Sequence, residues 1–263
     1  MVAPGNYAKW VRCPKPNPHA SLRLFCFPYS GGSASSFYAW EQALPMDIEV
    51  CYMQLPGREN RLREPAFTEM GPLVDALEEA LAPQFTRPYA FFGHSLGALI
   101  CFTLARQLRK HGKPGPEHLF VSSHRAPQLP HPHELIHDLP ATAFIERLRT
   151  YNGTPESVLQ NAELMALLLP VIQADFTVFE TYSYTEEPPL DCPISAFGGE
   201  EDDKVSRVEL AHWRTQTRNT FELRMFAGDH FFVHSNKALL LQAISQDLVH
   251  ALNQLHGQRA LTV

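Results

Sequence analysis

The sequence predicts a single α/β domain, with a mostly parallel central sheet, helices on both faces and one helical insertion. Three observations predict it. Short apolar runs alternate with segments of helical periodicity, as in successive βαβ units. The alternation stops between about residues 125 and 187, where no convincing strand occurs, and then resumes. The 263 residues suffice for one large domain with a sizeable core and are too few for two comfortable enzyme domains.

Residues 22–27 (LRLFCF) form an apolar, aromatic run stopped by Pro28, which reads as a buried strand. The loop Tyr29-Ser30-Gly31-Gly32-Ser33 follows, then a helical stretch near residues 35–44. Residues 48–55 read as a second buried strand, ending at Pro56-Gly57. From about 69 to 81, Leu73, Val74, Leu77 and Leu81 recur at helical spacing, with Thr68 as N-cap. Residues 89–93 are a third strand, 95–111 a helix stopped by Gly112 and Pro114, and 118–122 a fourth strand. Inside the insertion, helical patterns cover 141–150 and 162–182, between loops rich in Pro and His. A strand at 193–197, a helix near 207–217, a strand at 221–226 and a last helix from about 236 to 255 complete the pattern. From His256 on, the chain reads as a loose tail. So long an excursion between sheet elements is expected to serve as a lid or binding surface.

Composition narrows the function. Hydrophobic residues make up 44% and charged residues 19%, which argues against a disordered or fibrous chain. The formal charge of −6 argues against a dedicated nucleic-acid binder. The five cysteines are odd in number and include no CxxC pair. Cys26, Cys51 and Cys101 sit in or beside apolar runs, as reduced core cysteines do, which points to a reducing compartment. No cysteine lies in a turn that would present it as a nucleophile. Residues 1–18 lack the apolar core of a signal peptide. The longest candidate membrane stretch, about 96–108, is too short and ends in Arg106, Arg109 and Lys110. A soluble, cytoplasmic protein is the expectation.

The strongest local signal is Gly93-His94-Ser95-Leu96-Gly97, a G-x-S-x-G with a strand before it and a helix after it. A serine on such a turn projects above the sheet at a helix N-terminus, where the dipole favours developing negative charge. Glycines two residues before and after let neighbouring chains approach. This is the nucleophile turn of the α/β-hydrolase fold, in which an acid and then a histidine follow in chain order. Three histidines lie between the 193–197 strand and the last helix: His212, His230 and His234. His212 falls in a predicted helix. His230 follows the 221–226 strand through Ala227-Gly228-Asp229, which places it at the sheet edge that carries Ser95; His234 is a weaker rival. The acid is expected after the 193–197 strand, where Glu200, Glu201, Asp202 and Asp203 are equivalent by chemistry alone. The Leu96 amide is one expected oxyanion donor, and the glycine-bearing Tyr29–Gly32 loop suits the second. That loop lacks G-x-G-x-x-G and Gly-Lys-Ser/Thr, and the chain has no HExxH or spaced His/Cys set, so neither cofactor nor metal is expected.

Beyond G-x-S-x-G, the sequence resembles the type II thioesterases that accompany nonribosomal peptide and polyketide synthases, and the related medium-chain fatty-acid synthase thioesterase of animals. The resemblance covers nearly the whole chain. It is carried by Phe27-Pro28-Tyr29-Ser30-Gly31-Gly32-Ser33-Ala34, by Gln54-Leu55-Pro56-Gly57-Arg58-Glu59 with Arg61, and by Phe92-Gly93-His94-Ser95-Leu96-Gly97-Ala98. Leu169-Pro170, Ala174-Asp175-Phe176, Phe197-Gly198-Gly199 with Asp202, and Gly228-Asp229-His230-Phe231-Phe232 continue it. The resemblance implies Asp202 as the acid, with Val205 after it, and Ser30 as the second oxyanion donor. Asp203 stands where the family often has proline, and Tyr29 where it commonly has histidine; a loop that contributes backbone amides tolerates the second change.

The resemblance further implies an acyl, aminoacyl or peptidyl thioester on the phosphopantetheine arm of a carrier protein as substrate. Hydrolysis through an acyl-enzyme would clear wrong or stalled groups, and the protein would be a monomer. The insertion would form the acyl pocket, with Met165, Leu169, Ile172 and Phe176 as candidate walls. The same apolar face, which includes Leu168, could equally pack the insertion onto the sheet. Arg58, Arg61 and Arg63 could dock an acidic carrier, but bracing of their loop is the favoured reading. Phe37 and Trp40 are expected in the core. Three competing functions share the scaffold: a carboxylesterase or lipase on free esters, an acyltransferase, and a non-catalytic carrier-binding protein.

Overall fold

The computed structural model describes residues 4–130 and 134–261. A short helix α1 (Pro4–Trp10) leads into strand β1 (Val11–Arg12), then β2 (Leu22–Phe27) and β3 (Ile48–Met53). Helix α2 (Met70–Leu81), β4 (Tyr89–His94), α3 (Leu96–Lys110) and β5 (His118–Ser122) follow. Helices α4 (Ala141–Arg149), α5 (Glu156–Leu159) and α6 (Ala162–Glu180) lie between β5 and β6 (Ile194–Gly199). The chain closes with α7 (Arg207–Ala211), β7 (Phe221–Phe226), α8 (Phe232–Ser235) and α9 (Lys237–Leu261).

The strands form one sheet in the order β1-β3-β2-β4-β5-β6-β7. Every pairing is parallel except β1 on β3. A parallel sheet must be covered on both faces, and β2 to β6 are buried along their whole length for that reason, whereas the edge strand β7 is half-buried. Side-chain alternation divides them. Phe25, Phe27, Phe91, Leu119 and Val121 join α2 and α3 in one core, whereas Leu24, Cys26, Phe92, Phe120 and Phe197 join α8 and α9 in the other. Phe37 and Trp40 are 1% exposed and pack in the second core, as expected. The insertion has a small core of its own, built on Phe144, Leu148, Leu159, Met165, Val171, Ile172 and Phe176.

Several local expectations are corrected. α1 and β1 are additional elements; two residues of antiparallel strand carry too little pattern to be read. Cys13 and Cys51 are disulfide-bonded, with Cα atoms 4.5 Å apart, because β1 lies beside β3. Cys51 is therefore not a reduced core cysteine and gives no support to a reducing compartment, while Cys26, Cys101 and Cys192 are free and buried. The stretch near 35–44 forms two 3₁₀ turns, Ala34–Phe37 and Trp40–Gln42, because Ala39 between them has φ +64°. The N-cap of α2 is Glu69, without a side-chain bond, and not Thr68. Helix α9 continues to Leu261, through the segment read as a loose tail. Among the described residues, the helix long and apolar enough to cross a membrane is α6, not 96–108. It behaves as a packed helix, since Asp175 and Glu180 on it are buried and bonded.

Candidate active site

The turn from β4 to α3 brings Ser95 to the end of the central strands. Its backbone has φ +53° and ψ −118°, a conformation rare for any residue with a Cβ. Two glycines make the turn sterically feasible. A Cβ on Gly93 would lie 2.2 Å from the Gly97 carbonyl, and one on Gly97 would lie 2.1 Å from the Phe27 carbonyl oxygen. The Ser95 amide donates to the Ser122 carbonyl at 2.7 Å, which ties the turn to β5.

His230 follows β7 and is buried, 7% exposed. Its Nδ1 lies 2.9 Å from Asp202 Oδ2. Asp202 sits in the loop after β6 with its side chain fully covered, and its Oδ1 accepts the amides of Lys204 (2.9 Å) and Val205 (3.2 Å). Burial pushes this carboxyl up, but the His230 bond and the two amides outweigh it and hold it below its ordinary range. Asp203 turns away: its side chain is 74% exposed and pairs with Lys204 Nζ. Glu200 and Glu201 are exposed as well. The structure thus brings Asp202, and not its neighbours, to His230. His212 is exposed, and His234 Nε2 lies 3.0 Å from the Tyr29 hydroxyl.

Ser30, Ser95 and His230 line one cavity of about 80 Å³, together with Ser123, Tyr151, Lys204 and Phe231. Of the four residues expected in an acyl pocket, Ile172 and Phe176 are on its wall. Met165 and Leu169 are not. Met165 packs inside the insertion's core and Leu169 against it, because the cavity lies beneath the C-terminal half of α6. Leu148 and Phe179 complete the apolar wall: Phe179 continues the face of Ile172 and Phe176 at helical spacing, whereas Leu148 comes from α4, which periodicity within α6 could not reveal.

His94 is a residue that sequence reasoning passed over. It is fully buried, its Nδ1 lies 2.9 Å from Ser122 Oγ, and its ring centre is 5.4 Å from that of His230. Burial, with the electrostatic influence of the neighbouring His230 and His234 rings adding to it, drives its pKa well below the ordinary histidine value. Ser123, whose hydroxyl donates to the His230 carbonyl at 3.2 Å, was also missed. The arginine cluster divides by role. Arg58 forms a buried bidentate pair with Asp175, and Arg61 bonds Glu64 and lies 4.2 Å over the Trp10 ring, whereas Arg63 is exposed. Bracing therefore holds for two of the three, with the partner of Arg58 on α6. No group of three or more His, Cys, Asp or Glu positioned to hold a metal occurs among the described residues.

A mostly parallel sheet, a strained serine between strand and helix, and an insertion covering it define an α/β-hydrolase. Comparison with known proteins narrows the class. Residues 22–248 match the thioesterase domain model. The chain is 47% identical to the gramicidin S biosynthesis protein GrsT of Aneurinibacillus migulanus, over 91% of this chain and 94% of that one. It is 37% identical to thioesterase PikA5 of Streptomyces venezuelae, over 91% and 85% respectively. The solved type II thioesterase BorB, from the borrelidin biosynthetic cluster, superposes with a TM-score of 0.82 at 35% identity, covering 92% of this chain and 97% of its own. The chain belongs to the thioesterase family, within its type II branch.

Proposed function

We propose that the protein hydrolyses acyl, aminoacyl or peptidyl thioesters from the phosphopantetheine arm of carrier domains in nonribosomal peptide or polyketide synthesis. Ser95, His230 and Asp202 are its catalytic residues. The observation that carries this reading is the 2.9 Å bond from His230 to a covered Asp202, on the wall of the cavity that Ser95 also lines. Asp202 accepts the Nδ1 proton of His230 and so leaves Nε2 free to act as a base. Ser95 Oγ attacks the thioester carbonyl as Nε2 takes its proton. The tetrahedral oxyanion is held by the Ser30 and Leu96 amides, neither of which has an acceptor among the described residues. The C–S bond breaks, the proton passes to sulfur, and an acyl-enzyme remains. His230 then deprotonates water, which releases the acid and restores Ser95. A thiolate leaves far more readily than an amine, so this site needs less assistance to the leaving group than a protease does.

The biological role is editing, in the cytoplasm, with the carrier domain as partner. GrsT is named for gramicidin S biosynthesis, and BorB is a type II thioesterase from the borrelidin biosynthetic cluster. The test is release of a short acyl group from a loaded carrier protein. Ser95→Ala should reduce it by about 10³-fold or more. A wild-type protein that ignores loaded carriers but cleaves p-nitrophenyl esters well would instead be a carboxylesterase.

A further inference from the structure

The Tyr29–Gly32 turn depends on the insertion for its shape. The Gly32 amide donates to the Tyr29 carbonyl at 2.8 Å and Gly31 has φ +75°, so this is a type II turn with Gly31 at its third position. The Ser30–Gly31 peptide is the plane whose flip separates type II from type I. Its N–H, that of Gly31, donates to Asp175 Oδ2 on α6 at 2.7 Å. Arg58 grips the same carboxylate with both terminal nitrogens at 2.8 Å, and its Nη1 also donates to the Gly32 carbonyl at 3.0 Å. Both side chains are 5% exposed.

Packing repeats the arrangement. A Cβ on Gly31 would stand 3.0 Å from Ile172, and one on Gly57 would stand 2.5 Å from Val171. One face of α6, made by Val171, Ile172 and Asp175, therefore seats on two glycine turns at once. Phe27 and Pro28, which lead into the first of these turns, touch the serine turn at Gly97. The other edge of the assembly is closed by Gln54, which accepts the Ala34 amide and donates to the Arg58 carbonyl, each at 3.0 Å.

We propose that Asp175, aligned by Arg58, is a positioning residue for the oxyanion hole: by engaging the Gly31 amide it fixes the turn, and with it the preceding Tyr29–Ser30 peptide, whose N–H faces the reacting carbonyl. Asp175 touches no reacting atom. It acts by engaging the Gly31 amide, which leaves the neighbouring amide for the oxyanion. If α6 lifts, Gly31 loses its acceptor and Arg58 its counter-charge together. Seating of the insertion and assembly of the oxyanion hole are then one equilibrium, and an open site is an inactive one. This rests on the reading of Ser30 as an oxyanion donor.

The test uses the full chain, a loaded carrier as substrate and an alkyl boronic acid as probe. Boron takes an electron pair from Ser95 Oγ and becomes tetrahedral, which mimics the intermediate. Asp175→Ala should lower kcat by about 10²-fold, with KM changed less than about threefold, and weaken boronate binding by a similar factor. A second variant guards against misfolding. Arg58→Met combined with Asp175→Leu replaces the buried pair by apolar groups, an exchange that folded proteins often tolerate. It still deprives Gly31 of its acceptor, so the same losses are expected. A folded variant that keeps kcat within about threefold, or loses rate with unchanged boronate affinity, overturns the proposal. Failure of the functional reading would appear earlier, as wild-type thioester hydrolysis that Ser95→Ala does not reduce.

Discussion

Asp202 and Asp203 are adjacent in the chain and identical in chemistry, yet one is fully covered and bonded to His230 and the other is 74% exposed. Replacing the covered carboxylate by an amide puts a donor where the imidazole needs an acceptor, and so favours the wrong tautomer. Asp202→Asn should therefore cost about 10³–10⁴ in kcat on a loaded carrier. Asp203→Asn removes only a solvated partner of Lys204, so its kcat should stay within about twofold of wild type; a large loss there alone would reverse the assignment. At this scale the sequence was legible wherever order along the chain carried information. Ser95 stood out through its flanking glycines and His230 through its place after a strand. The acid could be chosen only by resemblance, because four consecutive carboxylates differ in burial, and burial is set by how the loop folds. Asp175 was invisible as a functional residue. Within an apolar helix, one carboxylate does not announce which amide it meets from a loop 144 positions earlier.

Helix α3, which begins at the serine, is clasped at its far end by two carboxylates. Glu78 of α2 accepts from Gln107 and pairs with His111 and Lys113, and Glu187 pairs with Arg106, Arg109 and Lys110. Burial raises both acids, but the cationic partners prevail and hold each at about 2. An acid whose pKa is depressed in the folded state stabilises that state above its unfolded value, near 4.3, and ceases to as pH falls toward its folded value. The wild-type urea midpoint should thus decline between about pH 5 and pH 2. For Glu187→Gln it should lie lower at neutral pH, decline less on acidification and meet the wild-type curve near pH 2. Curves that stay parallel would show that the clasp contributes nothing. Elements of this length were legible because apolar side chains recur many times in them. Strands β2, β5 and β7 coincide with the runs read from sequence. β1 was not legible, since its two residues pair by virtue of lying beside β3 and carry no pattern of their own.

Across the whole molecule, the sheet places three residues far apart in sequence at one edge, because parallel strands all present their C-terminal ends there. The alternation of strands and helices was enough to foresee this, and the break in that alternation located the insertion. What the pattern could not supply was the third dimension of the insertion: which half of α6 covers the cavity, and which arginine it meets. The strained turn at Ser95 has a further consequence. A non-glycine residue held at φ +53° costs about 1–3 kcal/mol, more than the 0.5–1 kcal/mol of extra chain entropy that glycine forfeits on folding. Ser95→Gly should therefore raise the melting temperature by up to a few degrees while abolishing hydrolysis, and calorimetry beside a carrier assay would reveal a lower melting temperature if the idea is wrong. Anyone who ranks a mutant library of this enzyme by heat resistance alone would then promote the clones that have discarded the proposed nucleophile, so activity has to be scored in the same round.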